Sequence, residues 1–331
     1  MRQLTYEDLD DLALGAALLG SGGGGDPLYD LMMAKHALEE HGSLELIELD
    51  DLEDDALIVP VAFAGAPLVG QEKLPSGNEV RSILMHIEKI MGKRPSALMP
   101  AEIGGGNAFA PFYTSAEMGI PILDADTLGR AFPELHMSSC NLMGISASPA
   151  FVADHAGNVA VLYAKSARDI EIHARALTVA MGSSAGCALY LMTKKEAEKG
   201  VVKGSISKAI ALGKALKDKR SLNTPPLFSG CIVHVEQEIK NGFLQGSVLI
   251  RSGEDVQIYY QNEYLAAYKG SVRIAETPDI LILLEQESKT PITTEMLRYG
   301  LKVDLFVLPS PSIWKTEKGL ELVGPKYFGY V

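Results

Sequence analysis

The first indication of the architecture is the stretch Ala56-Leu57-Ile58-Val59-Pro60-Val61-Ala62-Phe63, which is apolar throughout. A strand with one face in water would alternate apolar and polar residues, so this run predicts a strand that is covered on both faces. Similar short apolar segments at residues 44–49, 96–100 and 120–123 alternate with helical patterns. Such an alternation is typical of a mostly parallel sheet with helices on both sides, a Rossmann-like α/β/α domain.

The pattern changes in the second half of the chain. Residues 151–163 are typical of a β-hairpin and residues 167–181 and 205–217 of helices, whereas short strands dominate after residue 230. A length of 331 residues suits two domains. We therefore predict an N-terminal Rossmann-like domain with glycine-rich turns over residues 1–165. A C-terminal domain over residues 166–331 should begin with helices and become β-rich.

Composition and charge exclude several classes of protein. The formal net charge is −12 and the sequence pI is near 5.1. Binding to nucleic acids or to anionic membranes needs clustered Lys and Arg, so neither is expected. No apolar run is long enough to span a bilayer as a helix. The cysteines Cys140, Cys187 and Cys231 form neither a disulfide framework nor a CxxC metal motif, which favours the reducing cytoplasm.

A run of four glycines, Gly22-Gly23-Gly24-Gly25, separates the first two predicted helices. Gly22, Gly23 and Gly24 are candidates for substrate binding, because glycine lets backbone N–H groups approach an anionic group. The alternative is a tight turn between two helices. The run lacks the preceding strand of a dinucleotide-binding motif and the Gly-Lys-Ser/Thr ending of a P-loop. No nucleotide cofactor is therefore predicted.

A second glycine-rich turn, Glu102-Ile103-Gly104-Gly105-Gly106-Asn107, follows a predicted strand. In open α/β sheets, ligands bind at the carboxyl ends of the strands. Glu102 is therefore a candidate general base, and Gly105, Gly106 and Asn107 are candidate substrate-binding residues. The alternative is a plain strand-to-helix turn in which Asn107 is the N-cap.

The next predicted strand end carries the densest group of ionisable residues. Asp124 and Asp126 stand at alternate positions, and Glu134 and His136 follow shortly after them. Such a set is typical of a divalent-cation site or of acid–base catalysis. We predict these four residues as metal ligands, Asp126 and Glu134 also as catalytic residues, and Arg130 as the cation that holds a substrate anion. The alternative is that Asp126 caps a short helix while Arg130 neutralises the carboxylates.

Two further places offer reactive or polar groups. Cys140 would be a metal-free nucleophile if His136 served as its base, although a buried, inert cysteine is the commoner situation. Asn262 and Glu263 end a predicted strand, where they either bind a substrate amide or form a simple turn. Cys140 is therefore a candidate catalytic residue, and Asn262 and Glu263 are candidates for substrate binding.

As a set, five motifs resemble the S-methyl thiohydantoin desulfurase family. They are the glycine run ending in Asp26-Pro27, the turn Glu102-Ile-Gly-Gly-Gly-Asn107, the segment Pro121-Ile-Leu-Asp-Ala-Asp-Thr-Leu-Gly-Arg-Ala-Phe-Pro-Glu134, the turn Gln261-Asn-Glu263 and the terminal Gly324-Pro-Lys-Tyr-Phe-Gly329. These motifs are spread over nearly the whole chain, and the segment that ends at Glu134 is the most specific of them.

This resemblance implies an N-terminal α/β domain followed by a β-rich domain of the swivelling type. It also implies metal-assisted hydrolysis that removes sulfur from a thiohydantoin ring. We therefore expect a hydrolase that acts on a cyclic amide, such as a thiohydantoin or a hydantoin, with a divalent metal such as zinc. The alternatives are a metal-free Cys140 hydrolase and a non-catalytic subunit or ligand-binding module of a hydantoinase- or oxoprolinase-type system. The expected partners are further copies of the chain or a hydantoinase-like protein.

Overall fold

Two large sheets organise the part of the chain that the computed structural model describes, which is residues 1–65, 69, 73–218, 222, 224–240 and 242–330. The strands before residue 220 are β1 (Arg2–Gln3), β2 (Glu45–Ile47), β3 (Leu57–Gly65), β4 (Ala97–Pro100), β5 (Ile122–Leu123), β6 (Ala125–Asp126), β7 (Ala150–Ala153), β8 (Val159–Leu162), β9 (Ser184–Ala188), β10 (Met192–Thr193) and β11 (Val202–Lys203). The strands after residue 227 are β12 (Phe228–Lys240), β13 (Phe243–Ser252), β14 (Glu254–Gln261), β15 (Glu263–Lys269), β16 (Val272–Glu276), β17 (Ile280–Glu285) and β18 (Lys302–Leu308).

The first sheet is mixed. Its strand order is β1-β2-β5-β4-β3-β9-β7-β8, and β10 pairs with the beginning of β3. Strands β2, β5, β4 and β3 are paired in parallel, whereas the other pairings are antiparallel. The prediction of a mostly parallel sheet is therefore wrong. The hairpin β7–β8 and strand β9 join the sheet beyond β3, and strands linked by a short hairpin loop can only pair antiparallel.

Strand β3 confirms the prediction made from its apolar sequence. Residues 57–62 are buried, and β3 lies between β4 on one side and β9 on the other. The sheet also continues past residue 165, where the sequence placed the end of the first domain, because β9 and β10 come from residues 184–193. The carboxyl ends of β3 and β4 are the edge at which the glycine-rich turns meet.

The helices pack around this sheet. In α1 (Tyr6–Leu19), Thr5 is the N-cap and forms a capping box with Asp8. Helices α1 and α8 (Ser205–Lys217) pack with their backbones in close contact, since a Cβ atom on Gly15 would lie 1.7 Å from the Ala209 carbonyl oxygen. None of the helices in the described residues is both long and apolar enough to cross a membrane. The helices are α1 (Tyr6–Leu19), α2 (Leu28–His41), α3 (Asn78–Met91), α4 (Phe112–Met118), α5 (Ser139–Leu142), α6 (Ala167–Ala180), α7 (Lys194–Gly200), α8 (Ser205–Lys217) and α9 (Glu317–Val323).

The second sheet confirms the predicted β-rich C-terminal region. Its order is β16-β15-β14-β13-β12-β18-β17, and every pairing is antiparallel. The sheet curls, so that β15 also contacts β17. Its concave side is filled by apolar side chains such as Val248, Ile258 and Leu283. The result is an antiparallel half-barrel.

The turn that follows α1 fastens the first half of the chain to the second sheet. The hydroxyl of Ser21 donates to the carbonyl oxygen of Leu281 over 3.0 Å, and the Ser21 carbonyl accepts from the N–H of Tyr264 over 2.7 Å. The carbonyl of Gly22 accepts from the N–H of Thr294 over 2.8 Å. The glycine run therefore lies between the two sheets.

Candidate functional site

A cavity of about 200 Å³ opens where the glycine run, the ends of β3 and β4 and the β14–β15 turn meet. Seven of the residues predicted as functional line this cavity, and so do further polar residues that the sequence did not single out. The predicted residues are Gly24, Glu102, Gly106, Asn107, Glu134, Asn262 and Glu263. The charged lining consists of the carboxyl groups of Asp26, Asp30, Glu102, Glu134 and Glu263 and the cations Lys73 and Arg175.

Glu102 is held in place at the end of β4 by Asn107. The Asn107 amide nitrogen donates to Glu102 Oε1 over 2.6 Å. Asn107 is itself fixed by the backbone of Phe63 at the end of β3, from which Oδ1 accepts over 2.7 Å. Burial raises the pKa of Glu102 to about 7, although the bonds from Asn107 and from the Phe132 N–H favour its ionised form. Glu102 is thus an oriented carboxyl group that exchanges protons near neutral pH.

Glu263 faces the same cavity from the second sheet. Its side chain is only 2% exposed, and among the described residues its Oε2 atom has no hydrogen-bond partner. Burial, together with the charge of Glu102, raises the pKa of Glu263 well above its ordinary value. A carboxyl group in this setting keeps its proton at neutral pH and is able to donate it. Glu102 and Glu263 therefore offer a base and an acid to one cavity.

Arg130 does not line the cavity, contrary to the role predicted for it. Its guanidinium group is completely buried, donates to the carbonyl oxygens of Ala131, Pro278 and Asp279, and lies 4.4 Å from the ring centroid of Phe132. Burial lowers its pKa to about 10, so it remains charged at neutral pH. Its positive charge acts against the rise in the pKa values of Glu102 and Glu263 that burial causes. It cannot reach a substrate anion directly.

The glycines make room for neighbouring groups more than they expose N–H groups to a ligand. A Cβ on Gly23 would lie 2.1 Å from Glu263 Oε1, and one on Gly106 would lie 2.3 Å from Asp30 Oδ2. The lack of a side chain at these two glycines therefore leaves space for the carboxyl groups of Glu263 and Asp30, which line the cavity. Gly22, Gly23 and Gly105 do not line the cavity themselves. A Cβ on Gly22 would meet the ring of Tyr264, and one on Gly105 would meet the backbone of Gly24.

Asp124 and Asp126 accept hydrogen bonds from backbone N–H groups. Asp126 is completely buried, and its Oδ2 accepts hydrogen bonds from the N–H groups of Ile103, Leu128 and Gly129 over 3.0, 3.0 and 2.7 Å. Asp124 accepts from the N–H groups of Ile206 and Ser207 at the start of α8. The two carboxylates therefore stabilise different turns and do not face one ligand, as an Asp-x-Asp metal site requires.

Glu134 and His136 belong to another cluster. The Tyr327 hydroxyl lies 3.3 Å from Glu134 Oε1 and 3.2 Å from His136 Nε2, and His136 Nδ1 lies 3.5 Å from Glu134 Oε2. Burial lowers the pKa of His136 and raises that of Glu134. Among the described residues, no group of three or more His, Cys, Asp or Glu side chains is arranged to hold a metal ion. The structure therefore does not bring the four predicted ligands together.

Cys140 has the environment of an inert core residue. Its side chain is completely buried and its thiol donates to the carbonyl oxygen of Gly200 over 3.4 Å. Burial raises the pKa of the thiol to about 12, whereas a nucleophilic cysteine needs a lowered pKa. This environment argues against the nucleophilic role that the sequence left open.

The sequence did not single out Asp30, Lys73 and Arg175, which also line the cavity. Asp30 lies in the first turn of α2, and burial raises its pKa to about 7. An acid in a first helical turn is common for its interaction with the helix dipole, so its position carries no distinct signal of function. Lys73 and Arg175 lie in segments without a recognisable motif.

Comparisons with known proteins agree with the predicted family. Models of the S-Me-THD-like N-terminal and C-terminal domains match residues 7–164 and 165–331. No curated protein matches the sequence. A crystal structure of a protein from Chromobacterium violaceum is similar to this chain over 99% of its length and 97% of the other chain, with 22% identity and a TM-score of 0.83, which supports the fold. The chain belongs to the S-Me-THD-like family, that of the S-methyl thiohydantoin desulfurases.

Proposed function

We propose that the protein is a hydrolase that releases sulfur from the ring carbon of a cyclic amide of the thiohydantoin type. Family membership supports the substrate class. The observation that carries the proposal is the pair Glu102 and Glu263, two carboxyl groups from different sheets that face one cavity and have raised pKa values. Two carboxyl groups in different environments are a recurrent means of combining acid and base catalysis near neutral pH.

In the first step, Glu102 acts on a water molecule and Glu263 acts on the ring nitrogen next to the reacting carbon. Ionised Glu102 removes a proton from a water molecule, whose oxygen forms a bond to the carbon that carries sulfur. Protonated Glu263 donates its proton to the adjacent ring nitrogen, so that the C=N double bond becomes a single bond. The product of this step is a tetrahedral carbon bound to hydroxyl, to sulfur and to its two ring neighbours.

In the second step, both carboxyl groups regain their starting protonation states. The carbon–sulfur bond breaks, and protonated Glu102 donates its proton to the departing sulfur, which leaves as a thiol. The new hydroxyl group gives its proton to Glu263 and becomes the ring carbonyl. The sum is one water consumed, one thiol released, and both carboxyl groups restored to their starting states.

The direct test is turnover with a small panel of rings. The purified protein is incubated with an S-methylated thiohydantoin, a thiohydantoin and a hydantoin, and the products are followed by thiol detection and by chromatography of the ring. Hydrolysis is expected to release methanethiol from the S-methylated ring and hydrogen sulfide from the thiohydantoin, in each case together with a ring carbonyl. Binding of every ring without conversion of any would instead support a ligand-binding module.

The pH dependence of kcat/KM is expected to be bell-shaped. It should rise as the pH increases through about 7, since Glu102 must lose its proton to act as a base and its pKa is about 7. It should fall at higher pH, where Glu263 loses the proton that it must donate. Steady-state rates measured across this range test the expectation. A kcat/KM that decreases through neutral pH would contradict the assignment of Glu102.

Turnover is expected to survive dialysis against EDTA, because both groups that transfer protons belong to the chain. The four predicted metal ligands do not converge, and Glu102 and Glu263 carry every proton transfer of the two steps. Elemental analysis before and after dialysis, with turnover measured on both samples, tests this prediction. A loss of turnover that zinc restores would establish the metal assistance implied by the family resemblance and would overturn a mechanism that depends on the two carboxyl groups alone.

A further inference from the structure

The turn that carries Glu263 has a backbone conformation that needs support. Asn262, the residue before Glu263, has a φ of +58°, in the left-handed region. Residues other than glycine seldom adopt this region, although asparagine tolerates it better than most. The Asn262 N–H donates to the carbonyl oxygen of Leu244 over 2.8 Å, and Asn262 Oδ1 accepts from the Leu244 N–H over 2.9 Å. The Asn262 side chain therefore helps to fix the turn from which Glu263 enters the cavity.

Thr294 holds the carbonyl group of the same turn. It lies in the segment between β17 and β18 and is completely buried. Its hydroxyl donates to the carbonyl oxygen of Asn262 over 2.7 Å, and its backbone N–H donates to the carbonyl oxygen of Gly22 over 2.8 Å. The hydroxyl also lies 3.2 Å from the Gly22 carbonyl oxygen, but it has one proton to donate and the Asn262 oxygen is nearer. Thr294 therefore joins the turn of Glu263 to the glycine run.

The glycine run also contacts the turn that carries Glu102. The N–H of Gly106 donates to the carbonyl oxygen of Gly25 over 3.2 Å. A Cβ atom on Gly24 would lie 2.2 Å from a carbonyl oxygen of the same turn, so the two backbones can approach only because no side chain stands between them. The turn of the base, the glycine run and the turn of the acid are thus joined, and Thr294 is the last link.

We propose that Thr294 is a positioning residue for the reaction, whose hydroxyl holds Glu263 at the place relative to Glu102 that proton donation requires. On the other side of Glu263, the N–H of Tyr264 donates to the carbonyl oxygen of Ser21 over 2.7 Å, a bond between backbone groups only. The Thr294 hydroxyl is a side-chain link, so a substitution can remove it. The inference rests on the proposed function, because Thr294 is not among the described residues that line the cavity and acts through Glu263.

The test compares Thr294→Val, which loses the hydroxyl, with Thr294→Ser, which keeps it. Thr294→Val should lower kcat about 10- to 100-fold, since a displacement of about 1 Å can reduce a rate about 10²-fold, whereas KM should change little. Release of the turn also lets water reach Glu263. Because burial is the main cause of the raised pKa of Glu263, that pKa should fall, and the high-pH limb of the kcat/KM profile should move to lower pH. Thr294→Ser should keep both kcat and the profile.

A matched control loses a similar hydrogen bond elsewhere. Thr178, on α6, is buried, and its hydroxyl donates to the carbonyl oxygen of Ala174 over 2.9 Å. Thr178→Val should leave kcat and the pH profile unchanged, whatever it does to the melting temperature. Thr294→Ala also lacks the hydroxyl and introduces no second methyl group, so it supplies the same comparison if Thr294→Val does not fold.

The pKa of Glu263 can also be measured without turnover. An NMR titration of side-chain carboxyl carbons in protein labelled at glutamate reports it, and the signal that is lost in Glu263→Gln identifies the residue. The pKa should be lower in Thr294→Val than in the unchanged protein. It should stay raised in Thr294→Ser and in Thr178→Val, which both keep the bond to the Asn262 carbonyl.

The outcomes separate this inference from the proposed function. A lowered Glu263 pKa in Thr294→Val, in a protein that hydrolyses no ring, would support the positioning role and contradict the hydrolase. Hydrolysis by a folded Thr294→Val protein with unchanged kcat, pH profile and Glu263 pKa would overturn the positioning role alone. The role would also be overturned if Thr294→Ser lost as much kcat as Thr294→Val, because the methyl group and not the hydroxyl would then be responsible.

Discussion

Glu102→Gln is expected to lower kcat for sulfur release by about 10²- to 10⁴-fold, the usual contribution of a positioned acid–base group. Gln has the same shape, and its side-chain oxygen can still accept the hydrogen bond from Asn107 that orients Glu102. It cannot take a proton from water, so the base is lost. The measurement is kcat from the rate of thiol release, together with the melting temperature of each variant.

The controls for this variant distinguish chemistry from folding. Glu238→Gln, on the exposed part of β12, should keep both kcat and melting temperature. Glu102→Gln should keep its melting temperature while kcat falls. Full retention of kcat in a folded Glu102→Gln protein would exclude Glu102 as the base and would direct attention to Asp30, whose pKa burial also raises to about 7.

Four of the predicted residues that line the candidate site lie next to strands. Glu102 and Asn107 come after β4, and Asn262 and Glu263 join β14 to β15. Strand ends can be recognised from short apolar runs, and polar side chains at such ends tend to meet at one edge of a sheet. Local pattern was therefore sufficient to place these side chains near a cavity, even though Glu102 and Glu263 are far apart in the chain.

What the sequence could not show is which distant group each residue meets. Spacing alone suggested that Asp124 and Asp126 share a ligand, but their partners are backbone N–H groups of other turns, at Ile103 and at the start of α8. The glycine run is ambiguous in the same way. It indicates that another group of the protein comes close to the backbone, but not which group. Gly23 approaches Glu263 from the other sheet. The antiparallel part of the first sheet likewise depends on the return of β9 beside β3, a long-range pairing.

Asp126→Ala is expected to destabilise the protein so strongly that little folded material remains. The change leaves the N–H groups of Ile103, Leu128 and Gly129 without their acceptor in a buried turn. Each unsatisfied buried donor costs about 1–3 kcal/mol, so the loss amounts to roughly 3–9 kcal/mol. A typical protein has a free energy of unfolding of only about 5–15 kcal/mol. Chemical denaturation of the variant and of the unchanged protein measures the difference.

Two further variants separate this structural role from the metal and catalytic roles that the spacing suggested. Asp126→Asn retains an oxygen for the three N–H groups, and its new NH₂ group takes the place of Oδ1, which has no hydrogen-bond partner among the described residues. Burial raises the pKa of Asp126 to about 7, so the neutral amide resembles a form that the carboxyl group already adopts. This variant should fold and keep its turnover. Asp124→Ala removes only acceptors at the start of α8 and should cost about 1 kcal/mol, as the loss of a helix cap does. A folded Asp126→Asn protein without turnover would instead show that Asp126 takes part in catalysis, since the amide preserves the turn but neither carries a negative charge nor exchanges a proton.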